Sequence, residues 1–308
     1  MSETLAIVEK SAHRLAFYDL ESGRLEETID LPEFPHEIAL DPDGYTAYVG
    51  HYGARNSRDP RPGGSEVFVI DLRNRRLMHT IDLHPFRRLH GLQCDARGRL
   101  FVLAEADDML CVVDNPQTDL RPNHAVRTGG VKGHLVAVTR DGNTAFCSNL
   151  QSHSITKVTP FSQTTLPVVI EPGLKPEGLC LSADEKRLYV LNRGDGTLAE
   201  IDTKTCEITR KTSIRGEGTR LYRIGNERLL LASYLDESIS ILERSTLREI
   251  SYLQLGGRAT AASLHPERQE AYVSLENDQL VRVDLGGCME IDRFATGRDP
   301  DLSVIVRS

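Results

Sequence analysis

A unit of about 40 residues recurs along this chain, and a chain built that way has few folds open to it. Each copy begins with a short apolar strand, turns on polar residues and continues with a second apolar strand. A third strand ending near an aspartate follows, then a polar hairpin and a last strand. The copies open at Pro35, Leu89, Gly133, Pro176, Thr219, Ala259 and Pro300. Their second residues are His36, His90, His134, Glu177, Arg220 (or Tyr222), Thr260 and Asp301, at steps of 54, 44, 43, 43, 40 and 41 residues. All but the first step match the roughly 40–45 residues of a four-stranded propeller blade.

The seventh copy stops after one strand, and residues 4–31 supply three strands with no opening strand. The C-terminal strand is therefore expected to complete a blade with the N-terminal three, closing the ring and leaving no blade half-paired. Strand chemistry agrees: runs such as residues 66–72 and 238–243 alternate or are β-branched, and Asp43-Gly44, Arg97-Gly98 and Asp141-Gly142 are hairpin-turn signals. The fold class expected is all-β, a seven-bladed β-propeller forming one domain over residues 1–308. The last blade would be closed by the C-terminal strand.

Nearly the whole chain resembles YVTN-type propeller repeats. The resemblance is carried by Tyr48-Val49, Tyr189-Val190-Leu191-Asn192 and Tyr272-Val273, each followed by an apolar strand and Asp71, Asp202 or Asp284. It implies the propeller fold and leaves function open, since that family includes ligand binders and lactonase-like enzymes.

In such a ring the starts of the innermost strands meet at one mouth of the central channel, so His36, His90, His134 and Glu177 fall together from four consecutive blades. Three imidazoles and a carboxylate are a ligand set for a divalent metal ion (Zn, Fe, Mn or Mg). The same residues could instead form a metal-free acid–base or ligand-binding cluster, or serve only to pack the blades. The loops between second and third strands open on that mouth too. They bring His51 and Tyr52, Glu105, Asn149, Asn192 and Arg193, Tyr234 and Asp236, Glu276, and Glu9 with Lys10. His51, Tyr52, Arg193 and Arg220 are the candidate catalytic residues. The first of these loops, residues 51–66, is long and rich in Gly, Pro, Arg and Asp, and is expected to act as a lid. Glu37, next to His36 on a strand, is expected to face the other way. His13, His79, His84, His124, His153 and His265 are expected on the surface, as are the basic runs Arg73, Arg75, Arg76 and Arg87, Arg88.

A net charge of −8 argues against a nucleic-acid partner. The sequence carries no export signal and no run of about 20 apolar residues, so a cytoplasmic location with no membrane partner is expected. The six widely spaced cysteines read as reduced thiols packed in strands. The function expected is a small-molecule enzyme of lyase, hydrolase or isomerase type with its histidine-rich site at the channel mouth. The alternative is a non-catalytic propeller that binds a small ligand or a protein partner. The motif Pro35-His36-Glu37-Ile38 is similar to the blade-start motif of streptogramin lyases, seven-bladed propellers that use such histidines for metal binding and proton transfer.

Overall fold

The computed structural model describes residues 3–306. Blade seven spans the two ends of the chain: β1 (Thr4–Glu9), β2 (Arg14–Asp19) and β3 (Leu25–Asp30) come from one end. Blade one follows as β4 (Pro35–Leu40), β5 (Thr46–His51), β6 (Glu66–Asp71) and β7 (Arg76–Asp82). Blade two is β8 (Leu89–Cys94), β9 (Leu100–Ala104), β10 (Met109–Val113) and β11 (His124–Arg127). Blade three is β12 (Gly133–Val138), β13 (Ala145–Asn149), β14 (Ser154–Val158) and β15 (Val168–Ile170). Blade four is β16 (Pro176–Leu181), β17 (Arg187–Asn192), β18 (Thr197–Asp202) and β19 (Ile208–Ser213). Blade five is β20 (Gly218–Ile224), β21 (Arg228–Ser233), β22 (Ser238–Glu243) and β23 (Glu249–Gln254). Blade six is β24 (Ala259–Leu264), β25 (Glu270–Leu275), β26 (Gln279–Asp284) and β27 (Met289–Ala295), and β28 (Pro300–Val306) returns to blade seven.

Each sheet is a four-stranded antiparallel meander, and the seventh runs β28-β1-β2-β3. β28 pairs antiparallel with β1, Leu5 opposite Ile305 and Ala6 opposite Val304, as the repeat count required. The first strands touch in sequence around the ring, β4 to β8, β12, β16, β20, β24, β28 and back to β4.

Burial explains the sequence pattern. The second strands are sandwiched by neighbouring blades and are buried on both faces, as in Tyr48-Val49 and Leu188–Asn192, so they read as unbroken apolar runs. The outer strands face water on one side, and β3, β7 and β23 are mostly exposed. Tyr48 and Tyr272 are fully buried, each donating its hydroxyl proton to a carboxylate at the blade rim, Asp41 at 2.9 Å and Glu270 at 2.9 Å. The expected turns carry left-handed glycines, Gly44 (φ 76), Gly98 (φ 81) and Gly142 (φ 69), a conformation that a side chain disfavours.

All six cysteines are free thiols. Four lie in strands as expected, but Cys206 and Cys288 sit in hairpin turns with φ of 63 and 53. Burial pushes the Cys147 and Cys180 thiols up to about 12, so neither is a thiolate nucleophile near neutrality.

Deleting residues 300–308 removes the buried Val304, Ile305 and Val306 side chains, on the order of 5 kcal/mol of apolar burial. It also strips β1 of one of its two partners, leaving it paired with β2 alone. The truncated chain is expected to melt at least about 10 °C lower, or to aggregate. An unchanged melting curve by circular dichroism would show that this pairing does not hold the ring.

Candidate functional site

Where each first strand enters its sheet, the register slips. The shifts fall between His36 and Ile38, Leu89 and Leu92, Gly133 and Val136, and Pro176 and Leu179, with similar slips in blades five and six. A β-bulge re-aims the side chains next to it, and here it points the blade-start residues at the channel. Close approach of the strands follows: a Cβ on Gly91 would sit 2.9 Å from the Cα of Leu135 in the next blade. The bulge also overturns the expectation for Glu37. With φ at +29 its side chain turns inward instead of alternating, and its Oε1 accepts a hydrogen bond from Arg220 Nη2 at 2.6 Å, across the channel from blade one to blade five.

The three blade-start histidines converge. The rings of His36 and His90 are 4.4 Å apart, and those of His90 and His134 are 3.7 Å apart. Two groups of potential metal ligands share His90: His36, Glu37 and His90, and His90, Glu105 and His134, each with ligand atoms within 4.8 Å of one another. The carboxylates grouped with the imidazoles are thus Glu37 and Glu105. Glu177 stands at the edge, its Oε1 3.8 Å from His134 Nε2 and its Oε2 bonded to Arg193 Nη1 at 3.1 Å. The inward turn of Glu37 has no signal in an alternating strand. Glu105 could be found from its place in the second-to-third strand loop of blade two, next to blade three.

Two buried polar atoms of this cluster have no partner within hydrogen-bond distance: His90 Nδ1 and Asp301 Oδ1. His36 Nδ1 lies against Asp301 Oδ2, off the line of a hydrogen bond. His134 is better held: its Nδ1 bonds Glu105 Oε2 at 2.8 Å, which in turn accepts the Tyr52 hydroxyl on Oε1 at 2.7 Å. If Nδ1 carries the proton toward that carboxylate, Nε2 is left as an acceptor on the cavity side. Unpartnered buried polar atoms are rare, and the two here are open to a water, a ligand atom or an ion.

Above the cluster is a cavity of about 840 Å³ lined by His36, His90, His134, Glu177, Arg193 and Arg220 among others. A second lobe of about 900 Å³ lies over blades two to four and shares Ser57, Glu177 and Arg193 with it. A third cavity of about 740 Å³, lined by polar and aliphatic groups alike, lies further down the channel and includes Glu37 and Arg220. Arg220, ion-paired with Glu37, thus lies between the upper and lower spaces and lines both.

The other expected residues divide. Tyr52 joins the site, its ring edge-on to His36 and His90 at 5.5 and 5.6 Å. Arg193 and Arg220 line the cavity, but Arg220 is committed to Glu37 and to the Thr260 carbonyl at 3.1 Å. His51 does not join: it bonds Glu66 at 2.6 Å and the Glu33 carbonyl at 3.1 Å within its own blade edge. Glu9, Asn149 and Asn192 turn into their own blades and brace local backbone or side chains. Residues 55–57 of the long loop do line the cavity.

Three surface expectations are also corrected. Arg88 is half-buried and pins the long loop through the carbonyls of Asp59 at 2.5 Å and Arg61 at 2.7 Å. His13 lines the mouth, and its Nδ1 accepts from the Phe34 N–H at 3.0 Å. His265 is buried and caps a turn with Nδ1 while Nε2 meets Glu3 at 3.1 Å.

Charge is arranged around one neutral ring. Burial, with His134 and His36 beside it, holds His90 well below the usual imidazole range. For Asp301, burial opposes the charge, but His36, Lys10 and Arg220 outweigh it and keep the carboxyl well below its ordinary value. Burial also opposes the charge on Glu105, and His134 and Tyr52 reverse the balance and lower it.

No protein-family model matches the chain, and no curated protein does. Solved structures do. The chain is similar to the Pseudomonas aeruginosa periplasmic gluconolactonase PpgL, with TM-score 0.78 and 15% identity, covering 100% of this chain and 99% of that one. It is also similar to Kuenenia stuttgartiensis hydrazine synthase, with TM-score 0.72, 14% identity and 89% and 90% covered. A third likeness is to the dihydro-heme d1 dehydrogenase NirN in complex with DHE, with TM-score 0.66, 14% identity and 98% and 74% covered. At such identities the likeness establishes the propeller fold.

The neutral His90 has a measurable consequence. Below about pH 6.5 the unfolded chain binds a proton that folded His90 refuses, so this contribution to stability is full above that pH and falls as the solution is acidified. Between pH 7.5 and 5.5, in chelator-containing buffer, the wild-type unfolding free energy is expected to drop about 1 kcal/mol more than that of His90→Gln. Equal drops in urea titrations would show that the ring is not held neutral.

Proposed function

We propose that the upper cavity is the active site of a small-molecule hydrolase that opens a lactone or similar ester. The Glu105–His134 pair carries this reading, because a buried carboxylate on Nδ1 leaves Nε2 basic and aimed at a cavity. In the proposed step His134 Nε2 takes a proton from water as the water oxygen bonds to the carbonyl carbon. The imidazolium then returns the proton to the departing alkoxide as the ring C–O bond breaks. Arg193, which faces the cavity between Glu177 and Glu217, is placed to steady the carbonyl oxygen as it gains negative charge. Tyr52 is a positioning residue, holding Glu105 from behind.

The unpartnered His90 Nδ1, with His36 and Glu37 grouped beside it, fits a divalent cation, Zn, Fe or Mn more readily than Mg because the donors are largely nitrogen. His36, His90 and Glu37 would hold it, with His134 and Glu105 the second group, and a bound cation would supply Lewis acidity to the carbonyl. The gluconolactonase likeness favours a lactone over the lyase and isomerase chemistries, although it speaks directly only for the fold.

Two measurements test this. Elemental analysis after chelator-free purification is expected to find about one metal ion per chain, lost in His36→Ala/His90→Ala. Release of acid from a panel of γ- and δ-lactones, followed at constant pH, is expected to fall about 10²–10⁴-fold in His134→Gln. It is expected to fall about 10- to 100-fold in Glu105→Gln. Absence of turnover across the panel, with ligand-dependent thermal stabilisation retained, would favour a non-catalytic binder.

A further inference from the structure

The residue two places before each blade-start residue turns the chain into its strand, and in five blades it does so with a left-handed backbone. These are Phe34 (φ 57), Arg88 (φ 56), Lys132 (φ 63), Lys175 (φ 51) and Asp299 (φ 58). Such a conformation costs about 1–2 kcal/mol for a residue with a side chain, and glycine or asparagine would adopt it more easily. The backbone need is met locally in the same way in several blades. The N–H of Lys132 is taken by Asp108 at 2.6 Å and that of Lys175 by His153 at 3.2 Å. Those of Phe34 and Asp299 go to His13 and Asp278. Nothing in this turn calls for a cation, yet blades two, three and four carry Arg88, Lys132 and Lys175 in succession.

Arg88 is used up by the long loop. Lys132 and Lys175 are not: among the described residues neither ammonium makes an ion pair or hydrogen bond, and the same holds for the guanidinium of Arg58, which the loop extends over them. All three line the lobe of about 900 Å³. The lobe's carboxylates are already answered. Glu105 is held by His134 and Tyr52, Asp108 by the Lys132 and Gly133 N–H groups, and Glu177 and Glu217 by Arg193. Three cations without a contact partner, only Lys132 among them acting at longer range on Glu105, are a local choice that the composition of a chain of net charge −8 does not explain.

We propose that Lys132, Lys175 and Arg58 bind an anionic group, a carboxylate or a phosphate, of the molecule that the His134 side of the site acts on. This rests on the catalytic reading above and narrows it to acidic substrates, the anion held over blades three and four while the reacting carbonyl reaches His134. Glu177 and Arg193 line both spaces, so one molecule can span them.

Calorimetric titration of the intact protein at low salt tests the proposal with inorganic phosphate, D-gluconate and uncharged D-glucitol. At least one of the two anions is expected to saturate, the tighter showing which oxyanion is preferred, and glucitol is not. Lys132→Met/Lys175→Met is expected to weaken the anion at least about tenfold with an unchanged melting temperature, and Lys132→Arg/Lys175→Arg to restore it. Raising the salt to about 0.3 M is expected to weaken binding in the wild type and the double Arg variant, and to change little in the double Met variant. Failure of both anions to bind, or equal affinity in the double Met variant, overturns the proposal. Anion binding that depends on the lysines without any lactone turnover would leave it standing while removing the catalytic reading. Turnover that ignores both substrate charge and the lysines would do the reverse.

Discussion

The site exists because two strands from opposite ends of the chain pair. β28 on β1 turns seven similar sheets into a closed ring, and a closed ring forces the first strand of every blade toward one axis. Residues separated by tens of positions become neighbours there, and polar ones can do so only if their charges are mutually satisfied or awaiting a ligand. The seven blade-start positions obey that condition. His36 meets Asp301, Arg220 meets Glu37 and lies near Asp301, and His134 meets Glu105. His90, in the middle of the imidazole row, is left neutral and unpartnered.

The electrostatic layout has two tiers. Below, Glu37 and Arg220 neutralise each other across the axis, and burial makes such a pair strongly interdependent. Burial opposes the charge on Arg220, but Glu37 and Asp301 more than compensate, so the guanidinium is permanently charged. Above, the carboxylates Glu105 and Asp301 remain ionised despite burial because histidine and other cations face them. The proposed proton transfer uses the upper tier, while the lower one lends Glu37 to the candidate cation group.

Much of this was legible in the sequence because a repeat makes spacing informative. The seven opening positions, the closing strand and the convergence of His36, His90 and His134 follow from counting residues. What counting could not reveal is local. The rule that neighbours on a strand alternate put Glu37 on the wrong side, since it assumes a regular pleat and each blade entry carries a bulge. Loop position placed Tyr52 and Arg193 correctly, but misplaced His51, Asn149 and Asn192, whose side chains find partners within their own blades first. The expected Glu177 ligand is drawn instead to Arg193. Arg88 was hidden because a basic pair in sequence gives no hint that one member will fasten a loop.

The Glu37–Arg220 pair bears on how molecules come and go. A propeller channel open from end to end would let a molecule pass through, and here an ion pair stands across the axis, with Arg220 lining the spaces on both sides of it. On the proposed reading the way in is the mouth that residues 55–57 line. Departing product and arriving substrate would then share that mouth, where Arg88 holds the loop in place.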